Sequence, residues 1–518
     1  MRVLKIKSLF KELKEHILFA VILSSILILI DFGTNLFFHN FYIESSKFTL
    51  QEIAITFFLS LLISYSSKVL RYFFSLLLIL FSLIEIIYFS FFRGLIQPYH
   101  FRVVFSEADD ILDSLYSVMP IVIASIFIFI ISLFLIIKLS KKIKRGYRYI
   151  NYLLIFIFLS LPIVSYFKPY SLSISPLNFS YLNMLYALSI ATKNLFYTPK
   201  NKKFKPYIIK KRESKEQNII VIIGESLSYK RMNIFGYDKN NTTNLNILKD
   251  NPNFFYTKAV SSGVNTPVSI VSFFTLKREP TNISILETPK TNLLKLANEN
   301  GYNTAWFSMQ DEGMSISSVL KYAKKIKLRK DYSKENYDNN LLEELKDINW
   351  SKKNFIVLHF RANHSPYEKY IPPKFKESKY NRLDYFKYKV DSYNDSIKYV
   401  DSLLYKIYRY MLDTNLDFKI YFTSDHGERL GYSDDHFKYG HSELDLEVAK
   451  VPFLVFSNRK VSLKKELTNH YKIGKIILND LGYTLQNSNN DKTHYYINGL
   501  NIAGRAGFLE YTLDNFSK

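Results

Sequence analysis

The sequence predicts a two-part chain: a bundle of transmembrane helices, then an α/β domain built on a parallel sheet. Two observations predict it. Long apolar runs are concentrated before residue 168, and most approach the ~20 residues needed to cross a bilayer. From Asn218 onward, short apolar runs alternate with helical patterns, the texture of strands and helices in a layered sheet. At 518 residues the chain is also too long for one ordinary core.

Four apolar runs read directly as membrane helices: Ile17–Phe38, Val69–Phe92, Pro120–Ile137 and Ile150–Phe167. A fifth, Ile53–Tyr65, is shorter and follows Gln51 and Glu52. Charge placement requires it. Segments 1–16, 67–71 and 138–148 together carry thirteen Lys and Arg, whereas 39–51 and 93–119 carry three. The positive-inside rule then puts the N-terminus in the cytoplasm, and five crossings deliver the C-terminal half outside. The first apolar stretch is long and lacks a small-residue cleavage site, so no cleavable signal peptide is expected. Asp31 and Glu85 fall inside these spans. Intramembrane carboxylates are functional candidates, unless they sit at an interface and are solvated.

The expected organisation is a transmembrane domain over 1–167, a connector over 168–216 and an exported domain over 217–518. The connector opens with Pro169 and Pro176, passes an amphipathic stretch at Leu177–Phe196 and ends in a basic run. Such a segment is expected to lie along a membrane surface.

In the exported part, strands are expected at Asn218–Ile223, Asn303–Ser308, Asn354–Phe360, Lys419–Ser424 and Val451–Phe456. Helices are expected at Asp391–Leu412, with Ile397, Val400, Leu404, Ile407 and Met411 on one stripe, and at Lys464–Leu481. Ligands of such folds gather at the carboxyl ends of the strands.

Composition narrows the chemistry. The absence of cysteine excludes disulfides and thiolate metal sites. The net charge of +23 selects no partner alone, because Lys, Asn, Ile, Phe and Tyr abound together, as AT-rich coding gives. No nucleic-acid partner is expected. Five of the ten histidines fall between 359 and 441. Three strand ends carry suitable groups: Gly224-Glu225-Ser226, His359 with Asn363-His364, and Asp425-His426-Gly427-Glu428. Carboxylates and imidazoles at one sheet edge suit a divalent metal, zinc foremost. Each histidine alone would read as structural; several at strand ends of one domain read as a site. A hydroxyl nucleophile is available at Thr266, ahead of an apolar helix start, where backbone N–H groups favour an anion. The competing reading of Thr266 is a helix N-cap.

The stretch "IIVIIGESLSYKRMNIFGY" (Ile219–Tyr237) resembles the opening motif of bacterial phosphoethanolamine transferases. These are membrane-anchored members of the alkaline phosphatase and sulfatase superfamily, and they include lipid A-modifying enzymes behind polymyxin resistance. The resemblance continues, in order, through "SSGVNT", "VLHFRANHSPYEKY", "SYNDSIKYVDSLL", "FTSDHGERLG" and "YGHSELDLEVAKVPFLVFS". It implies a five-helix transmembrane bundle plus an α/β alkaline phosphatase/sulfatase-like catalytic domain. It also implies a multi-pass protein of the bacterial inner membrane with that domain in the periplasm.

By the same resemblance, Glu225, Thr266, Asp425 and His426 match the zinc ligands, for one zinc or two, and Thr266 matches the nucleophile. His364 and His441 match histidines that bind phosphoryl oxygen or a second zinc, with His359 close by. Glu428 matches an acidic residue near the ethanolamine pocket, and Gln310, after the Trp306 strand, is a candidate substrate contact. The implied donor is phosphatidylethanolamine. The implied acceptor is lipid A, core oligosaccharide or another envelope glycan, and the implied assembly is a monomer. There are two departures: the family's disulfides are missing, and Ser262-Gly263-Val264 stands where Cys-Gly-Thr is frequent. They bear on the branch, not on the ligands. His436, in "SDDHFKY", has no counterpart. A phosphoglycerol transferase of the lipoteichoic acid synthase type is the nearest alternative, ahead of a membrane sulfatase or phosphodiesterase. A sulfatase would need a Cys or Ser for formylglycine and an arginine nearby. Thr266-Pro267 offers neither.

Overall fold

The structure is a computed structural model. It describes the chain except for residues 1, 39–45, 93–94, 97–100, 102–114, 116–117, 145, 168–178, 197–203, 215, 288–289, 312–313, 377–379, 381–384, 434–435, 442–443, 490–492, 500–501, 505–506 and 517–518. The chain divides into two compact units, one of Met1–Thr198 with Gly431–Tyr439 and one of Pro199–Leu430 with Gly440–Lys518.

The Met1–Thr198 part of the first unit is helical: α1 (Arg2–Phe38), α2 (Ser46–Ser64), α3 (Lys68–Phe92), α4 (Met119–Ser140), α5 (Arg148–Phe167) and α6 (Ser180–Phe196). Among the described residues, three segments are long and apolar enough to cross a membrane: Phe10–Thr34 of α1, Lys68–Ser90 of α3, and α4. The apolar parts of α2 and α5, Leu50–Ser64 and Arg148–Leu161, are shorter.

Polar contacts fix the helix directions. Arg71, in the first turn of α3, donates to Ser66 O just past α2 (2.7 Å) and to Ser140 Oγ at the end of α4 (3.0 Å). Tyr147, just before α5, donates its N–H to Tyr65 O (2.9 Å). The ends of α2 and α4 therefore meet the starts of α3 and α5. Away from that cluster, late α1, early α2 and late α3 converge on the start of α6. Asp31 accepts Ser180 N–H (3.1 Å), Glu52 accepts Phe179 N–H (2.8 Å), and Glu85 accepts the Asn183 amide. Carboxylates suit that place, because the first N–H groups of a helix lack internal partners and its dipole favours anions. Helix α6 is thus bound into the helical unit, with Tyr181 and Asn183 fully buried. Two of its polar residues, Ser180 and Asn183, face buried acids.

The second unit centres on eight strands: β1 (Asn218–Gly224), β2 (Phe254–Val260), β3 (Asn303–Ser308), β4 (Lys325–Lys327), β5 (Asn354–His359), β6 (Phe418–Ser424), β7 (Lys450–Ser457) and β8 (Thr468–Asn469). Their spatial order is β8-β2-β7-β6-β1-β5-β3-β4. The sheet is mixed rather than wholly parallel, since β7 runs antiparallel to both β2 and β6. Strands β1 and β5 are buried at every residue, as strands covered on both faces must be. Three helices matter for the site: α7 (Thr266–Phe274), α8 (Tyr385–Asp413) and α9 (His470–Asp480). One core cluster joins Ile219, Val221 and Ile223 of β1 to Ile270, Val271 and Phe274 of α7 and to Trp306 of β3. That packing seats the start of α7 against the sheet.

Candidate active site

Register builds the site. Strand β1 pairs in parallel with β6, with Gly224 opposite Ser424. The next residues, Glu225 and Asp425, therefore leave the sheet side by side, and His426 follows. Strand β2 runs in the same direction as β6, because both are antiparallel to β7. Its loop, Ser261–Asn265, thus emerges at the same carboxyl edge and carries Thr266 inward.

Thr266 is the first residue of α7, but it does not cap it. Asn265 is the N-cap, and its side chain accepts Val268 N–H (3.2 Å). Pro267 is tolerated in the first turn, where an N–H has no helical partner. The Thr266 hydroxyl is left for other work. It lies 3.3 Å from Glu225 Oε2 and 3.4 Å from His426 Nε2, and Thr266 is only partly buried. Gly263 permits the tight loop before it, since a Cβ there would stand 2.8 Å from Val268 Cγ1.

Glu225, Asp425 and His426 are all at most 1% exposed, with one ligand atom from each within 4.8 Å of the others. His426 Nδ1–H donates to Gly427 O (2.9 Å), which leaves Nε2 as a lone pair facing inward. Asp425 Oδ1 accepts the N–H groups of Ser226 (3.0 Å) and His426 (2.7 Å). Asp425 Oδ2 is buried without a hydrogen-bond donor and stands 3.2 Å from His426 Nε2. Two acceptors facing each other inside a protein need a cation or a proton between them. These donor atoms therefore fit a divalent metal, and one carboxylate pair with an imidazole and a hydroxyl is a zinc-type set.

The charges agree. Burial alone would raise the Glu225 carboxyl, but positive charge carried by the His426 and His364 imidazoles, with the Gln310 amide, outweighs it and holds it at about 2, and a cation on the His426 Nε2 lone pair acts in the same sense. Burial, and then the charge of Glu225, push Asp425 up. Like charges this close cannot both ionise freely unless a cation shares the site.

The other sequence-predicted residues form a layer around this centre. Gln310 Nε2 donates to Glu225 Oε2 (2.7 Å) and Phe360 O (2.8 Å) and lies 3.0 Å from His359 Nε2. Its amide thus braces Glu225. His359 is fully buried and reaches Glu225 through Gln310, with Nδ1 3.3 Å from Ser308 Oγ. His364 is partly buried, and its Nδ1–H donates to Ser365 O (2.7 Å). The ring of His441 lies 4.2 Å from that of His426, and its Nδ1 is 3.4 Å from Glu428 Oε2. Desolvation works against its charged form, yet the Glu428 carboxylate raises it to about 9. Glu428 Oε1 is buried without a hydrogen-bond partner. The side chain of His436 lies outside the described residues.

Two further side chains, which sequence patterns do not single out, hold the site from behind. Tyr393 of α8 donates to Ser226 O (2.6 Å) and accepts Ser228 N–H (2.9 Å). It thereby pins Ser226, whose φ of 52° is a left-handed conformation. His470, at the start of α9, accepts Ser262 N–H on Nδ1 (3.1 Å) and donates from Nε2 to Ser424 O (2.9 Å). Burial pushes its imidazole down to about 3, so it is neutral. The only sequence signal for His470 is the helix start itself, after Asn469.

A partly buried hydroxyl beside two carboxylates and an imidazole, at the carboxyl edge of an α/β sheet, defines a metal-site class of protein. The chain belongs to the sulfatase family, whose model matches residues 217–484. Curated relatives carry transferase names. The Kdo(2)-lipid A phosphoethanolamine 7''-transferase of Salmonella typhimurium is 22% identical over 307 residues, 53% of this chain and 53% of its own. Phosphoethanolamine transferase EptA of Helicobacter pylori is 25% identical over 265 residues, 48% of this chain and 49% of its own. The chain spans about half the length of the curated relatives it matches. Among solved structures, the integral membrane lipooligosaccharide phosphoethanolamine transferase A of Neisseria meningitidis shares the fold with a TM-score of 0.56 at 15% identity, over 92% of this chain and 96% of its own. The C-terminal periplasmic domain of Escherichia coli EptC matches with a TM-score of 0.50 at 18% identity, over 60% of this chain and 96% of its own.

Proposed function

We propose that this chain transfers phosphoethanolamine from phosphatidylethanolamine to an envelope acceptor, through a covalent phosphothreonine at Thr266. The observation that carries the reading is the Thr266 hydroxyl itself. It is relieved of capping by Asn265 and held 3.3 Å from Glu225 and 3.4 Å from His426.

Glu225, Thr266, Asp425 and His426 would hold a zinc ion, whose charge depresses the hydroxyl pKa and offsets negative charge on the phosphoryl group. Thr266 gives up its hydroxyl proton to solvent, and its Oγ attacks the donor phosphorus. An Oγ–P bond forms, the bond to the diacylglycerol oxygen breaks, and that oxygen takes a proton. His441, kept protonated by Glu428, would deliver it. His364 would contact the phosphoryl oxygens with Nε2. The unpartnered Oε1 of Glu428 is suited to the donor's ammonium group. In the second half an acceptor hydroxyl, passing its proton to the now neutral His441, or an ionised phosphate oxygen attacks the phosphothreonine; the Oγ–P bond breaks and Thr266 takes a proton back from solvent. The acceptor is a lipid A-type glycolipid, by analogy with the Kdo(2)-lipid A in one relative's name, or a related envelope glycan.

The reading includes five membrane crossings with the catalytic unit in the periplasm. The alternating directions of α1 to α5 and the thirteen-to-three split of basic residues support it. A donor that is itself a bilayer lipid explains why the enzyme is anchored. The test is headgroup competition. Purified enzyme with zinc is given phosphatidylethanolamine or phosphatidylglycerol, and diacylglycerol release is followed. Release from the first alone is expected; release only from phosphatidylglycerol would shift the assignment to phosphoglycerol transfer.

A further inference from the structure

The nucleophile and the paired ligands stand on strands that do not touch. Thr266 follows the loop after β2, whereas Asp425 and His426 follow β6, and β7 lies between them. Neighbouring strands are ~4.8 Å apart, so the two strand ends are about two spacings apart. The ladder that joins them runs only through β7. His470 crosses this gap. Its ring is 1% exposed and lies against Phe273 of α7, with ring centroids 5.1 Å apart. Nδ1 faces a donor, the Ser262 N–H at 3.1 Å, while Nε2 faces an acceptor, the Ser424 carbonyl at 2.9 Å. Only one tautomer serves both: Nδ1 as lone pair and Nε2 as N–H.

We infer that His470 is a positioning residue, a neutral imidazole tie that sets the distance between Thr266 and the Glu225–Asp425–His426 cluster. This rests on the proposed role of Thr266. Ser262 is four residues before Thr266, and Ser424 directly precedes Asp425, so the tie acts one short segment away from each. A displacement of about 1 Å between reacting groups costs on the order of a hundredfold in rate. Sheet and helix packing retain the fold without the tie. Its loss is therefore expected in the chemical step rather than in folding or zinc content.

The test compares His470→Phe, which fills the space but has no polar atoms, with His470→Gln. The amide oxygen and nitrogen of glutamine can replace the ring acceptor and donor. The full chain is used in detergent with zinc and phosphatidylethanolamine, and the mass adduct on Thr266 is followed. His470→Phe should keep zinc and slow adduct formation by about ten- to a hundredfold, and His470→Gln should recover most of the rate. Hydrogen exchange of the 261–265 peptide should quicken in His470→Phe and return in His470→Gln. Wild-type rate and protection in His470→Phe, or a His470→Gln variant as impaired as His470→Phe, would overturn the inference. Absence of any adduct in the wild type would remove the transfer reading instead. The tie is then judged by hydrogen exchange of the 261–265 peptide, where quickening in His470→Phe with recovery in His470→Gln supports it and wild-type protection in His470→Phe refutes it.

Discussion

Acid should weaken the catalytic unit through one histidine. His470 is buried and accepts Ser262 N–H on Nδ1, so a proton there would set a donor against a donor. Its pKa falls from 6.5 to about 3 on folding. Above pH 6.5 both folded and unfolded chains hold it neutral, and its full contribution to stability is present. As pH drops below 6.5 the unfolded chain binds a proton that the folded chain refuses, and stability declines by about 1.4 kcal/mol per pH unit. The decline reaches roughly 2 kcal/mol at pH 5 and about 4 kcal/mol by pH 3. That is a large part of the ~5–15 kcal/mol that holds a domain folded. His470→Gln removes the titration while offering replacement hydrogen bonds. The assay is urea unfolding of the full chain in detergent with chelator, between pH 7 and 5. Both tryptophans, Trp306 and Trp350, are buried in the catalytic unit, so fluorescence reports its unfolding alone. Wild type should lose about 2 kcal/mol more than His470→Gln over that range. Equal losses in the two proteins would refute the reasoning.

Three further outcomes are expected. Asp425→Asn keeps an oxygen for Ser226 N–H and His426 N–H but removes the charge, so zinc analysis should show metal lost while the circular dichroism of the fold persists. Gln310→Leu strips Glu225 Oε2 and Phe360 O of a donor, which should cost about 1–3 kcal/mol in unfolding and weaken zinc about 10–100-fold in competition titrations. Reporter fusions at Lys144 and at Glu216 should report opposite compartments; the same compartment for both would sink the five-crossing topology.

The strand ends were legible because β1, β5 and β6 are short apolar runs ending in polar chemistry, and each was read to within a residue or two. Helix α8 begins at Tyr385, six residues ahead of the expected Asp391. Its first turns carry Lys and Tyr, which dilute the apolar stripe. The direction of β7 was not legible, since an apolar run looks the same read up or down the sheet. Nor was the register that sets Gly224 against Ser424, a pairing across 200 residues of chain. Thr266 stood out as a hydroxyl at a helix start, but sequence could not say whether it or Asn265 caps α7. Gln310 was legible only as a polar residue after a strand, and its brace on Glu225 needs the fold. His470 sits far from the other histidines in sequence and at the far side of the sheet order, so no local pattern connects it to Ser262 or Ser424. The stretch that contains α6 was expected along a membrane surface because it is amphipathic and leads into a basic run; that its Ser180 and Asn183 meet Asp31 and Glu85 needs the fold.

The most direct measurement is the mass of the peptide that contains Thr266. Enzyme loaded with zinc is incubated with phosphatidylethanolamine and no acceptor, digested and sequenced by mass spectrometry. The expected peptide is heavier by one phosphoethanolamine on Thr266, and the adduct is absent in Thr266→Ala. An unmodified peptide from enzyme that releases diacylglycerol, with Thr266→Ala still active, would contradict the central claim that this hydroxyl is the nucleophile.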